Sequence, residues 1–266
     1  MSTAAYALED DAGTTAPAGG AVPLSRLLRV ELRKLVDTRS GRWLLVLMAV
    51  LTAVVVAVFL FTADPQDLTY ATLVTATGTP QGILLPILGI LTVTSEWGQR
   101  TGLVTFTLEP RRGRVVVAKL LAVVVLGLAA IAVAFGLAAV GHVLAMTTQG
   151  APGDWTFGVT GFRDIVALQL LSVLQGLALG MLIMNSAGAI VAYFALPIVW
   201  GILTATVDLF RRIGPWVDIN TASLPLSDHE MDAGLWGRLA VATLLWVGVP
   251  MLLGWVRLVR RELKSA

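Results

Sequence analysis

Asp228, His229 and Glu230, with Asp232 close behind, set an imidazole among carboxylates, the donor types of a divalent-metal site. A zinc peptidase would present two imidazoles on one helical face through HExxH. That spacing is missing, and the only other histidine is His142. The stretch therefore reads as a solvated loop, and His142 as a packed or interfacial histidine near the end of an apolar helix. Cysteine is absent, which removes disulfides, thiolate nucleophiles and cysteine-ligated metals. None of Lys34, Lys119 and Lys264 follows a glycine, so the chain carries no GK[ST] phosphate loop. Intramembrane proteolysis needs paired aspartates, a serine–histidine pair or glutamate–histidine ligands within spans, whereas Asp164 and Asp208 stand at span ends. No catalytic constellation emerges. The chain reads as a protein that is not an enzyme and that binds no metal or cofactor itself.

The remaining chemistry is hydrogen bonding by uncharged side chains in apolar surroundings. Gln169, Ser172, Gly176 and Gly180 fall on one helical face, with Gln175 beside them. Small and polar residues so arranged serve close helix packing. Alternatively, Gln169, Ser172 and Gln175 face a substrate path or a subunit interface. A second small-residue stripe runs through Gly127, Ala130, Ala134, Ala138 and Gly141. Gly78, Pro80, Gly82, Pro86 and Gly89 interrupt another apolar run and predict a kinked or broken helix.

The elements that carry these residues are set by composition. Hydrophobic residues make up 56% of the chain and charged residues 14%, and the mean hydropathy is +0.82. A soluble domain carries about a quarter charged residues, so a water-facing globule is excluded. Charges are missing from 43–63, 68–95, 120–153, 165–207 and 239–256. About 20 apolar residues cross a bilayer, so these runs are spans. As one helix, 165–207 would measure about 65 Å, twice the hydrocarbon core, so it must fold back near Asn185-Ser186-Ala187-Gly188. The expected fold is all-α, a polytopic membrane protein with six transmembrane helices near 43–62, 72–95, 115–140, 164–184, 188–208 and 236–256.

Fifteen of the 19 basic residues then fall on one side: those before the first span, those between spans two and three, and those of the C-terminal tail. Basic loops stay in the cytoplasm, so both termini are expected inside, and five spans would have put the basic tail outside. The same asymmetry accounts for the net charge of +2 without nucleic-acid binding. Residues 1–23 read as a disordered cytoplasmic tail and 257–266 as a basic one. Between 24 and 42, leucines at near-helical spacing alternate with arginines. This predicts an amphipathic interfacial helix, leucines toward the membrane and cations toward anionic lipid headgroups. A charge at the bilayer centre costs about 2.5–3.5 kcal/mol on insertion scales, and the spans avoid it. Buried carboxylates or cations of the kind that drive ion-coupled carriers are therefore not expected.

The segment 95–119, SEWGQRTGLVTFTLEPRRGRVVVAK, leaves a span through a glutamate, breaks at Glu109-Pro110 and re-enters through arginines and a lysine. In Glu96, Thr101, Gly102, Pro110, Arg111, Arg112, Arg114 and Lys119 it resembles the first cytoplasmic loop of ABC-2-type permeases, membrane subunits of ATP-driven exporters. The basic start LRVELRKLVDTRSGRWLL is similar to theirs as well. The resemblance implies a permease subunit in a bacterial cell (plasma) membrane, an origin with which the alanine-, valine- and arginine-rich usage is compatible. It implies pairing with a second copy or a paralogue and two copies of a separate ABC ATPase. ATP would act through that partner. The docking loop would lie within 96–114, carried by Glu96, Arg100, Thr101, Gly102, Arg111 and Arg112. A folded or re-entrant segment would occupy the outside loop 211–234. An ion-coupled secondary transporter and a non-transporting membrane scaffold are the alternatives.

Overall fold

The computed structural model describes residues 22–98 and 111–260. All but the last two residues of the expected tail 1–23 lie outside them. So do Arg100, Thr101 and Gly102 of the expected docking loop, and the tail beyond Arg260. The described chain is helical throughout, with no strand among its residues: α1 Leu24–Asp37, α2 Arg39–Thr62, α3 Tyr70–Gly98, α4 Arg112–Gln149, α5 Val159–Ile183, α6 Ser186–Thr206, α7 Asp208–Val217, α8 Ile219–Ser227, α9 Ala233–Thr243 and α10 Val249–Arg260. A short π-helical stretch, Leu244–Gly248, joins α9 to α10 into one rod. Among the described residues, six helices are long and apolar enough to cross a membrane: α2 to α6 and the α9–α10 rod. Their alternation puts α1, the end of α3, the start of α4, the α5–α6 turn and the end of α10 at one face, called terminal here, and the other described connections at the opposite, distal face.

The hairpin falls where the sequence puts it. Met184 turns left-handed at φ 57° and closes α5. Asn185 then caps α6, its side-chain oxygen accepting from the Gly188 amide at 2.8 Å. Other boundaries move outward. The third span runs to Gln149 rather than 140, because nothing breaks the helix before Gly150 adopts φ 69°. At 38 residues it measures about 57 Å and outreaches the hydrocarbon core. The fourth span starts at Val159 rather than 164 and the sixth at Ala233 rather than 236, where the Asp232 carboxylate caps the Leu235 amide.

The second span is not broken: α3 stays helical through Pro80 and Pro86. In lipid a freed carbonyl finds no water, so the rest of the ladder is kept. α3 is the central helix. It crosses α5 so closely that a Cβ on Gly89 or Gly176 would overlap the Val173 or Pro86 carbonyl. Leu85, Leu88, Val123, Val173 and Leu177 pack between α3, α4 and α5. Leu68, Leu73, Val74, Ala138 and Ala145 fill the distal end, while Ile219, Leu226, Leu239 and Val247 seat α8 and the α9–α10 rod on α5. Buried Gln81 adds a polar tie from α3 to the Ala130 carbonyl of α4 at 3.1 Å. α6, by contrast, buries only Ala189.

Candidate functional site

At the terminal face, α1 forms a helix over Leu24–Asp37, within the stretch expected to be amphipathic. Leu27, Glu31 and Leu35 recur every four residues and share one side, which packs against α4. Glu31 is only 4% exposed, and Lys119, in the second turn of α4, 5%. Their side chains meet at 2.6 Å, and the Lys119 ammonium also donates to the Thr92 carbonyl of α3 at 3.2 Å. Half-exposed Lys34 holds the other Glu31 oxygen at 2.8 Å. Three helices thus converge on one buried ion pair. Arg26, Arg29 and Arg33 stay exposed on the opposite side of α1. Of the expected docking residues, Glu96 stands in the last turn of α3, Arg111 is exposed just before α4, and Arg112 opens α4. Arg114 donates to the Val22 carbonyl at 2.6 Å. The Ser186 hydroxyl donates to Thr94 at 2.7 Å, and Arg257 to the Leu182 carbonyl at 2.7 Å, tying the α5–α6 turn to α3 and α10.

Near the distal face a cavity of about 340 Å³ opens between α3, α5 and the connection from α8 to α9. Gln169 and Ser172 line it, facing Thr75, Gly78, Thr79 and Gly82 of α3. The Gln169 amide donates to the Gly78 carbonyl at 3.1 Å, and the Ser172 hydroxyl to the Gln169 carbonyl at 2.8 Å. Gln175 is buried and is not part of this wall. The structure therefore brings two of the three expected residues together. They serve both open readings: Gln169 braces the α3–α5 crossing and also borders a space.

His229, at the cavity rim, is not simply a solvated loop residue. It takes φ 58°, and its Nδ1 lies 3.2 Å from an Asp164 oxygen. The second Asp164 oxygen accepts from Arg163 Nε at 2.7 Å, and the Arg163 guanidinium lies 5.2 Å from the Trp236 ring centre. Asp164 itself is fully buried. Asp164 stands near a span end as expected, yet it is buried, and so are Glu31 of α1 and Lys119 of α4, so buried carboxylates and a buried cation are present where none were expected. Each charge is taken out of water because a partner waits on another element. Glu31 had left a signal, a lone carboxylate on the leucine face of an amphipathic helix. Asp164 had left only its place beside Arg163. His142 is packed as read: fully buried, its Nδ1 is 2.9 Å from the Leu68 carbonyl and its ring lies edge-on to Trp155.

Among the described residues no three His, Cys, Asp or Glu side chains group as they would around a metal ion. What the terminal face offers is mechanical linkage of three helices, and what the distal cavity offers is hydrogen bonding. No protein-family model matches the chain, and no curated protein matches it.

Proposed function

We propose that this chain is the permease subunit of an ATP-binding cassette exporter of a bacterial cell membrane. It moves substrate across or between the leaflets with energy from a separate ATPase at the terminal face. A second permease, a copy or a paralogue, completes the pathway. The observation that carries this reading is the placing of Lys119. This lysine closes the segment that resembles the docking loop of ABC-2-type permeases, and it pins α1, α3 and α4 together. A partner pressing on the loop that begins at Glu96 would displace all three helices as one unit. Two further features support the reading. The chain has no phosphate loop of its own, so work must be borrowed. In addition, α7 and α8 fold where such permeases carry a structured segment between spans five and six.

The test is purification of the tagged chain from its native membrane in mild detergent, with co-purifying proteins identified by mass spectrometry. A stoichiometric partner bearing a Walker-type phosphate loop is expected, and Glu96→Lys should weaken its association while insertion and fold are retained. Wild-type association in that variant would count against the docking assignment. Absence of any such partner after cross-linking would count against the exporter. The alternative of an ion-coupled carrier would then gain, since it draws on one specific observation, the buried Asp164 carboxylate between Arg163 and His229.

A further inference from the structure

We propose that the distal cavity binds an uncharged, hydroxyl-rich group, such as a sugar ring or polyol, carried on an apolar body. This deepens the transport reading by naming a class of cargo. It rests on that reading for the purpose of binding, though not for binding itself.

The cavity, about 340 Å³, sits at the low end of ligand-pocket sizes and suits one ring-sized group. Part of its polar wall has spent its donors. Thr75 donates to the Ala71 carbonyl at 2.9 Å, Ser172 to the Gln169 carbonyl and the Gln169 amide to Gly78. Their oxygens keep lone pairs for a guest. Pro86 has no N–H to give the carbonyl four residues back, that of Gly82, which borders the same space. The wall thus sets acceptors beside the hydroxyls of Thr79 and Ser227, and suits a guest that both donates and accepts. No Lys, Arg, Asp or Glu lines it. His229, the titratable side chain on the wall, is engaged through Nδ1 with the Asp164 carboxylate that Arg163 also holds, so this cluster is already paired within the protein. Several hydroxyls supply donors without a charge to desolvate. Ile165 and Leu168, on the same wall, suit the apolar body. Thr75 to Gly82 spans about 10 Å along α3, so the cavity runs from the distal connection along that helix.

Gly82 gives a clean test, because a Cβ there meets nothing within 4 Å. Gly82→Leu, whose Cβ has room, should project its side chain into the space. Gly201, on the sparsely covered α6, is equally open and supplies the control, Gly201→Leu. The purified chain, in lipid nanodiscs and without any ATPase, is titrated by equilibrium dialysis with phenyl β-D-glucoside, phenyltrimethylammonium and phenyl phosphate, empty discs serving as blank. Saturable glucoside binding is expected, at least tenfold tighter than either charged probe. It should weaken at least tenfold in Gly82→Leu, weaken severalfold in the near-isosteric Thr79→Val, and stay unchanged in Gly201→Leu. No saturable glucoside binding, wild-type affinity in both cavity variants, or equal binding of a charged probe would each overturn the proposal. Loss of the ATPase partner in the purification above would leave these titrations untouched, so the two readings fail separately.

Discussion

Glu31 and Lys119 are charged groups held out of water, so their value lies in being together. Removing one partner of a buried pair costs about 3–5 kcal/mol, whereas replacing both with apolar side chains is often neutral. Glu31→Leu should therefore lower the unfolding temperature of the detergent-purified chain sharply. Lys119→Met should do the same, and the double variant should recover most of the loss. In a double-mutant cycle the coupling should exceed 1 kcal/mol by a wide margin, since the two groups touch. A Glu31→Leu chain that melts with the wild type would remove the ion pair as the clamp of α1, and with it the mechanical argument for Lys119. Lys34 matters less, because it is half-exposed and its contact with Glu31 is screened by water.

Among elements, the α3–α5 crossing was legible and the loops beside it were not. The stripe of Gln169, Ser172, Gly176 and Gly180 announced a close approach, since in lipid helices associate through small residues and interhelical hydrogen bonds. Gly176→Ala should force α3 and α5 apart and lower the unfolding temperature, whereas Gly201→Ala, open on α6, should be neutral or slightly stabilising. Span number and the hairpin were readable because hydrocarbon thickness fixes helix length. Buried charges were not, because each depends on a partner far away in sequence, 88 residues for Glu31 and 65 for Asp164. The loop between α4 and α5 adds a pH-dependent element. The Asp154 carboxyl is held below its ordinary range chiefly by the Thr156 hydroxyl, then by the Thr156 amide, with His142 adding to the effect. A depressed carboxyl lends stability that is present above its unfolded value, about 3.9, and lost as pH falls through the lower folded value. The Asp154 carbonyl also accepts from the Tyr70 amide at the start of α3. Hydrogen exchange at the Thr156 and Tyr70 amides should therefore gain protection with rising pH across that window, after correction for intrinsic exchange. Asp154→Asn should flatten the profile.

For the whole molecule the decisive question is which face meets the cytoplasm, because an ATPase can act only there. Basic residues crowd the terminal face, where α1, the start of α4 and the end of α10 lie, and positively charged loops resist translocation. The chain contains no cysteine, so a single introduced thiol reports without background. Ser40, exposed at the start of α2, marks the terminal face, and Glu230, exposed between α8 and α9, marks the distal one. In intact cells a membrane-impermeant maleimide should label Glu230→Cys, and Ser40→Cys should react only after permeabilisation. The reverse pattern would set the Lys119 junction and the loop beyond Glu96 in the outer compartment. No ATP-hydrolysing partner could reach them there, and the exporter reading would fall however well the chain resembled a permease. It would also turn the distal cavity toward the cytoplasm, so that a hydroxyl-rich ligand would enter from inside the cell. The labelling pattern thus decides two things at once: whether energy can arrive at the terminal face, and from which side the cavity is filled.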